Sequence, residues 1–177
     1  MSNIPEGAMD YIGMRTSEEF ACEPVEPGAV RRYAQAIMDE APIFAPDAGT
    51  DNRFGGPVAP PLFPQAMFRR AYGDPDPVQE NAYNEDFDGS SGNRTLALPE
   101  IRQFRGFGVL NGGSEIEFYR YARYGERVKV TSFYEDIVEK QSSKGPIILI
   151  YIVSDYFTAD DELLLRIRRI SIRRPLK

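Results

Sequence analysis

No histidine occurs among the 177 residues. That one absence removes the commonest general base, the usual activator of a serine or cysteine nucleophile and the commonest zinc ligand. Cysteine is almost as scarce. Cys22 alone allows no internal disulfide, and without an imidazole it makes a poor nucleophile, so a reducing, cytoplasmic setting is the expectation. Basic residues are outnumbered, 21 Lys and Arg against 27 Asp and Glu. The net charge of -6 argues against a nucleic-acid partner, whose phosphates are held by excess Lys and Arg. No run approaches the ~18 apolar residues of a membrane span. The opening MSNIPEGAMDYIG has neither the basic region nor the apolar core of an export signal, so no membrane partner is expected. Dinucleotide-binding, phosphate-loop and EF-hand spacings are missing too, and the glycines at 89–92 lack the strand and helix that a phosphate loop requires. Acid-base chemistry, if any, falls to Asp, Glu, Tyr, Arg or Lys. No metal and no cofactor are expected.

What is present is organised around RFGGPVAPPLFPQAMFRRAY at 53–72. A glycine pair supplies a tight turn, prolines fix the entry to a helix, and the helix is apolar on nearly every side until Arg69 and Arg70. Such a helix needs wrapping. The second half offers it: the spans 114–121, 127–140, 144–157 and 162–174 are rich in Ile, Val, Tyr and Phe and read as a meander of antiparallel strands. The continuous apolar run at 147–153 predicts a central strand buried on both faces. In the last span Leu163, Leu165 and Ile167 share one side, and Ile170 and Ile172 continue out of phase across Arg168-Arg169, which predicts a bulge there. The pattern predicts one α+β domain over 1–177, a long buried helix wrapped by a curved antiparallel sheet.

The first third supplies smaller elements. Residues 16–25 read as a short strand with Phe20, Cys22 and Pro24 on one side. Pro27 suits the first turn of a helix on which Val30, Tyr33, Ala34, Ile37 and Met38 form an apolar face, with Arg31, Arg32 and Gln35 outward. Asp39 and Glu40 close it, against the macrodipole, so local rules do not explain them. A loop follows at 41–52, and an acidic, aperiodic stretch at about 73–98 is too long for a connection and reads as an insertion or flap.

The order of these pieces carries a resemblance. DEAPIF at 39–44, GGPVAPP at 55–61, LNGGSEIEF at 110–118 and YGERV at 124–128 resemble the MaoC-like acyl-CoA hydratases and dehydratases, especially the N-terminal-half, fatty-acid-synthase-like dehydratase type. The likeness covers roughly 25–174 and implies the hot-dog fold, in agreement with the pattern above. In active members the signature reads Asp-x-Asn-Pro-aliphatic-His, and the Asp and His hold the attacking water. Here Asp39, Pro42 and Ile43 match, Ala41 stands for the Asn, and Phe44 takes the histidine position. The family's His-Gly at the start of the buried helix is Pro60-Pro61 here, and a proline has no N–H to polarise a thioester carbonyl.

The resemblance thus implies a non-catalytic MaoC-like subunit of a heteromeric enoyl-CoA hydratase. Its substrate would be a coenzyme A thioester, and its partner a catalytic MaoC-like subunit in a heterodimer or heterotetramer. No catalytic residue is expected. Asp39, Phe44, Gly56, Val58, Ala59, Pro60, Phe63 and Met67 are the expected substrate-binding positions, Phe44 with Phe63 and Met67 extending an apolar tunnel for a long or bulky acyl chain. Two alternatives stay open. One is a self-sufficient homodimeric dehydratase using Asp39, helped by Glu40 or Tyr33. The other is a small-molecule-binding domain of the nuclear-transport-factor-like kind, which also runs from helices to a curved sheet.

Overall fold

The computed structural model describes residues 2–85 and 98–175. The acidic insertion expected at about 73–98 lies partly outside the described residues, over 86–97. In chain order the elements are β1 (Glu19–Phe20), α1 (Pro27–Ala36), α2 (Phe63–Ala66), α3 (Pro77–Glu80), β2 (Phe107–Phe118), β3 (Val128–Ser142), β4 (Gly145–Thr158) and β5 (Leu163–Pro175). The strands form one antiparallel sheet in the order β1-β3-β4-β5-β2. Only β3, β4 and β5 make a meander. β2, expected at its head beside β3, pairs instead with β5 and forms the far edge.

β4 occupies the centre, and Ile148 to Val153 are all buried, as the continuous apolar run predicts. One face of the sheet carries two apolar clusters in succession. The row Val130–Tyr156–Leu165 packs against α1 and α2, and the row Ile137–Ile150 packs under residues 4–12 and 98–107. A change in β3 keeps both clusters on one side. Tyr134 pairs with Ile152 and Asp136 with Tyr151, so Glu135 is one extra residue that resets the alternation before Ile137. The bulge expected at Arg168-Arg169 is not found there, because β5 runs in regular register with β4 across Val153–Arg168 and Ile152–Arg169. Ile170 and Ile172 face the opposite side, against Tyr151 and Leu149, so the phase break marks a switch of apolar face and needs no extra residue. β2 holds a second irregularity, where Gly112 and Gly113 stand opposite Ile170. A Cβ on Gly112 would lie 2.8 Å from Ile170 Cγ2, so only glycine fits.

The buried helix is shorter than the apolar stretch predicts. α2 is a single turn of 4 residues, Phe63–Ala66. Pro64 withdraws a donor, and after Met67 the Arg69 N–H bonds to the Met67 carbonyl at 2.9 Å instead of continuing a helical ladder. Its side chains still enter the core. Phe63, Pro64, Met67 and Phe68 are buried, with Phe63 edge-on to Tyr33 at 5.5 Å and Phe68 edge-on to Tyr156 at 5.6 Å. Burial of each such side chain is worth about 2 kcal/mol.

β1 covers only Glu19–Phe20 of the strand expected over 16–25. Ala21 and Val25 are buried, whereas Phe20 and Cys22 are exposed, with the Phe20 ring under the cations of Arg127 and Lys129.

Candidate functional site

α1 leads to the first expected site residue. Val30 and Ala34 are buried, and then Met38 takes a left-handed conformation, φ 57°. Met38 N–H donates to Gln35 and Asp39 N–H reaches back to the Ala34 carbonyl at 3.0 Å, closing the helix. The chain therefore turns away before the apolar pattern is complete. Ile37 and Met38, expected on the buried face, are 45% and 91% exposed. Asp39 and Glu40 are exposed as well, and among the described residues neither carboxylate has a hydrogen-bond or ion-pair partner.

Phe44 has the opposite environment. Pro42–Phe44 form one 3-10 turn, and the ring is 6% exposed in the core that also holds Val58, Ala59, Phe63 and Met67. The Phe44 carbonyl accepts a hydrogen bond from the Tyr124 hydroxyl at 2.5 Å. Burial pushes that hydroxyl's pKa up, so it stays a donor through the neutral range.

The loop at 53–60 is held by its own backbone. Asn52 Oδ1 accepts from the Phe54 N–H at 2.9 Å, Val58 N–H donates to Ile43, and Ala59 N–H donates to Ala122 at 2.8 Å. Gly56, buried, has φ 155°, which glycine tolerates best. Pro60 is fully buried, and its carbonyl accepts from Phe63 N–H. The N–H groups of Val58 and Ala59 are thus spent on structure, while Pro57, Pro60 and Pro61 have none to offer.

Two hollows flank α1. One, of about 310 Å³, is lined by Gly28, Arg31, Ala34, Glu40, Ala41 and Phe44 among others. The other, of about 400 Å³, is lined by Cys22, Ala29, Arg32, Tyr33, Phe63 and Met67 among others. Phe44 borders the first, and Phe63 and Met67 border the second. The three touch one core, but the helix separates the spaces they line. Burial raises the Tyr33 hydroxyl's pKa as well, which opposes its use as a base.

Tyr124 was not singled out in the sequence as a site residue, although it opens the YGERV motif. Its part is to tie the Phe44 turn down. Among the described residues no group of three or more acidic or cysteine side chains could hold a metal, and no helix is long and apolar enough to cross a membrane.

Residues 10–166 match the family model described as FAS1-like, dehydratase domain region. No curated protein matches the sequence. Among solved structures, a chain of the ChsH1-ChsH2 complex from Mycobacterium tuberculosis is similar, with a TM-score of 0.67 and 21% identity over 92% of this chain and 86% of that one. The MaoC-like dehydratase from Rhodospirillum rubrum gives 0.55 and 19% identity, covering 93% of this chain and 94% of that one. A chain of the HadBC (3R-hydroxyacyl-ACP dehydratase) complex from Mycobacterium tuberculosis gives 0.56 and 15%, covering 93% and 98%. At these identities the likeness concerns the fold, and the fold is the hot-dog fold that the motifs implied. The nuclear-transport-factor-like alternative has no counterpart among these neighbours.

Proposed function

The chain belongs to the FAS1-like dehydratase-domain family, and on that premise we propose that it is the non-catalytic half of a heteromeric enoyl-CoA hydratase. In this role it shapes the acyl pocket beside a catalytic MaoC-like partner. One observation carries the reading: the position that the family resemblance gives to the water-activating histidine holds Phe44, a buried core ring. A phenyl ring accepts no proton. Pro60-Pro61, just ahead of α2, lack the N–H that would meet a developing oxyanion, and one such donor is worth about 3 kcal/mol of transition-state stabilisation. Asp39 survives from the signature but lies in solvent, outside that core.

The need for a partner is supported by β2. It is an edge strand whose side chains are open along 109–118, with Val109, Leu110, Ile116 and Phe118 between 37% and 59% exposed. An edge of that length with apolar side chains invites pairing with another strand. Two of the structural neighbours come from solved complexes, ChsH1-ChsH2 and HadBC. On this reading the hollow against Phe44, about 310 Å³ and of the size that ligand pockets begin at, takes the acyl part of a coenzyme A thioester. The exposed Cys22 suits a reducing cytoplasm.

The test uses two variants in the assembled complex. Asp39→Asn leaves turnover within a few fold, because the carboxylate has no histidine to work with. Phe44→Ala enlarges the hollow and shifts preference between a short and a bulky enoyl-CoA, with turnover on the tolerated one kept. A loss of about a hundredfold or more at Asp39→Asn, with no change of preference at Phe44→Ala, favours the homodimeric alternative in which Asp39 is the base.

A further inference from the structure

α1 ends on a residue ill suited to its place. Met38 closes the helix at φ 57°, a left-handed conformation that glycine or asparagine ordinarily supplies and that strains a residue with a larger side chain. The strain gains no packing, since Met38 is 91% exposed, Ile37 beside it is 45% exposed, and every residue from Gln35 to Glu40 is open to solvent. An apolar side chain held out in water by a strained backbone points to a contact outside its own chain.

The charges around this knuckle are grouped by sign. Arg31 and Arg32 are exposed on the outward side of α1, and Asp39 and Glu40 follow Met38. Among the described residues none of the four makes an ion pair, and Arg31 donates only to the Gln35 side chain at 3.0 Å. Other arginines are matched within the chain: Arg105, Arg120, Arg166 and Arg168 each meet a carboxylate. The groups at α1 stand too far apart to meet each other, Arg32 and Asp39 being separated by roughly 10 Å along the axis. Asp39 and Glu40 also oppose the helix macrodipole, so their place costs stability in the chain alone.

Charges that find no match within one copy are matched between two. With two α1 helices laid antiparallel across a two-fold axis near Gln35 and Ala36, the arginines of each face the acids of the other, because in such a contact residue i meets j wherever j meets i. Ala36, Ile37 and Met38 of both copies then meet around the axis, an apolar centre within a charged rim. We infer that the outward side of α1, from Arg31 to Glu40, is a docking surface for a second copy of this chain. The inference stands on the placement of these groups and not on the reading of the chain as a silent half, and the surface shares no residue with the β2 edge. The patch is smaller than the roughly 20–30 residues a side of a standard interface, so the pairing is weak, with a Kd on the order of 100 µM.

The test is sedimentation equilibrium on the full chain carrying Ile116→Lys and Phe118→Lys, which close the separate route of association through the β2 edge. At about 5 µM this chain is a monomer, and as its concentration rises to about 500 µM the mean mass climbs toward two chains, less steeply in high salt. Met38→Glu stops the climb. So does Arg31→Glu with Arg32→Glu, and so does Asp39→Lys with Glu40→Lys, since two copies of either chain set like charges together. Mixed in equal amounts, those two charge-altered chains pair with each other, and all four substitutions in one chain restore self-pairing. The altered side chains are exposed, so each variant folds as its parent does. A mean mass of one chain at every concentration overturns the inference, as does pairing that survives Met38→Glu or that fails to return in the mixture. A monomer throughout, with Met38→Glu weakening assembly with the catalytic partner, gives the surface to that partner and overturns the second-copy reading.

Discussion

The hydroxyl of Tyr124 donates to the backbone carbonyl of Phe44, 80 residues earlier in the chain, at 2.5 Å. This bond fixes the turn that keeps the Phe44 ring in the core, so the edge of one hollow depends on a residue far away in sequence. Tyr124→Phe removes the donor while keeping the ring. The expected outcome is a loss of about 1 kcal/mol, read as a lower urea midpoint with an unchanged slope. An unchanged midpoint shows that the bond holds nothing.

The open edge of β2 gives the second prediction. Ile116 and Phe118 both face the side of β5 that carries Ile167 and Leu165, and both are exposed. The chain made alone self-associates, and Ile116→Lys with Phe118→Lys yields a monomer in sedimentation that no longer joins a partner subunit. Charge on an edge strand is how natural sheets prevent such pairing. A clean wild-type monomer contradicts this.

The third prediction concerns pH. Glu139 accepts hydrogen bonds from the Asn3 side chain and backbone and from the Ser2 hydroxyl, and the Asn3 side-chain bond leads in holding its carboxyl below the usual range. A depressed carboxylate contributes its tie above the ordinary glutamate value and loses it as pH falls through the depressed one. Protection of the Asn3 amide, read against the intrinsic exchange rate at each pH, therefore persists through the pH range where a free glutamate protonates and is lost below it. In Glu139→Ala the protection is absent throughout. Early release in the unaltered chain means that the carboxylate does not anchor the N-terminal segment.

The strands were legible because β-branched and aromatic residues recur with breaks at 125–126, 141–145 and 160–161, and the central place of β4 followed from its unbroken apolar run. Which edge β2 would take was not legible, since pairing depends on where the chain crosses rather than on what β2 contains. The irregularities in β3 and β2 escaped for a related reason. Glu135 resets a face that only the opposing Ile150 and Ile152 define, and Gly112 is required by the closeness of Ile170 on another strand. The length of α2 was overread, because an apolar stretch also reads as helix where it is buried without being helical, as at Phe68. At the site, composition showed the missing histidine and the motif placed Phe44 in its position. That Phe44 and Met67 line different hollows needed the three-dimensional position of α1 between them.

The most direct test of the silent-half account is an assay of the purified chain, without a partner, on short and long enoyl-CoA substrates. Phe44 in the core and Pro60-Pro61 just ahead of α2 supply neither a base nor an N–H donor at the family's two positions, and the expected result is no hydration above the uncatalysed background. Partner-free turnover of about 1 per second, an ordinary enzyme rate, contradicts the account outright.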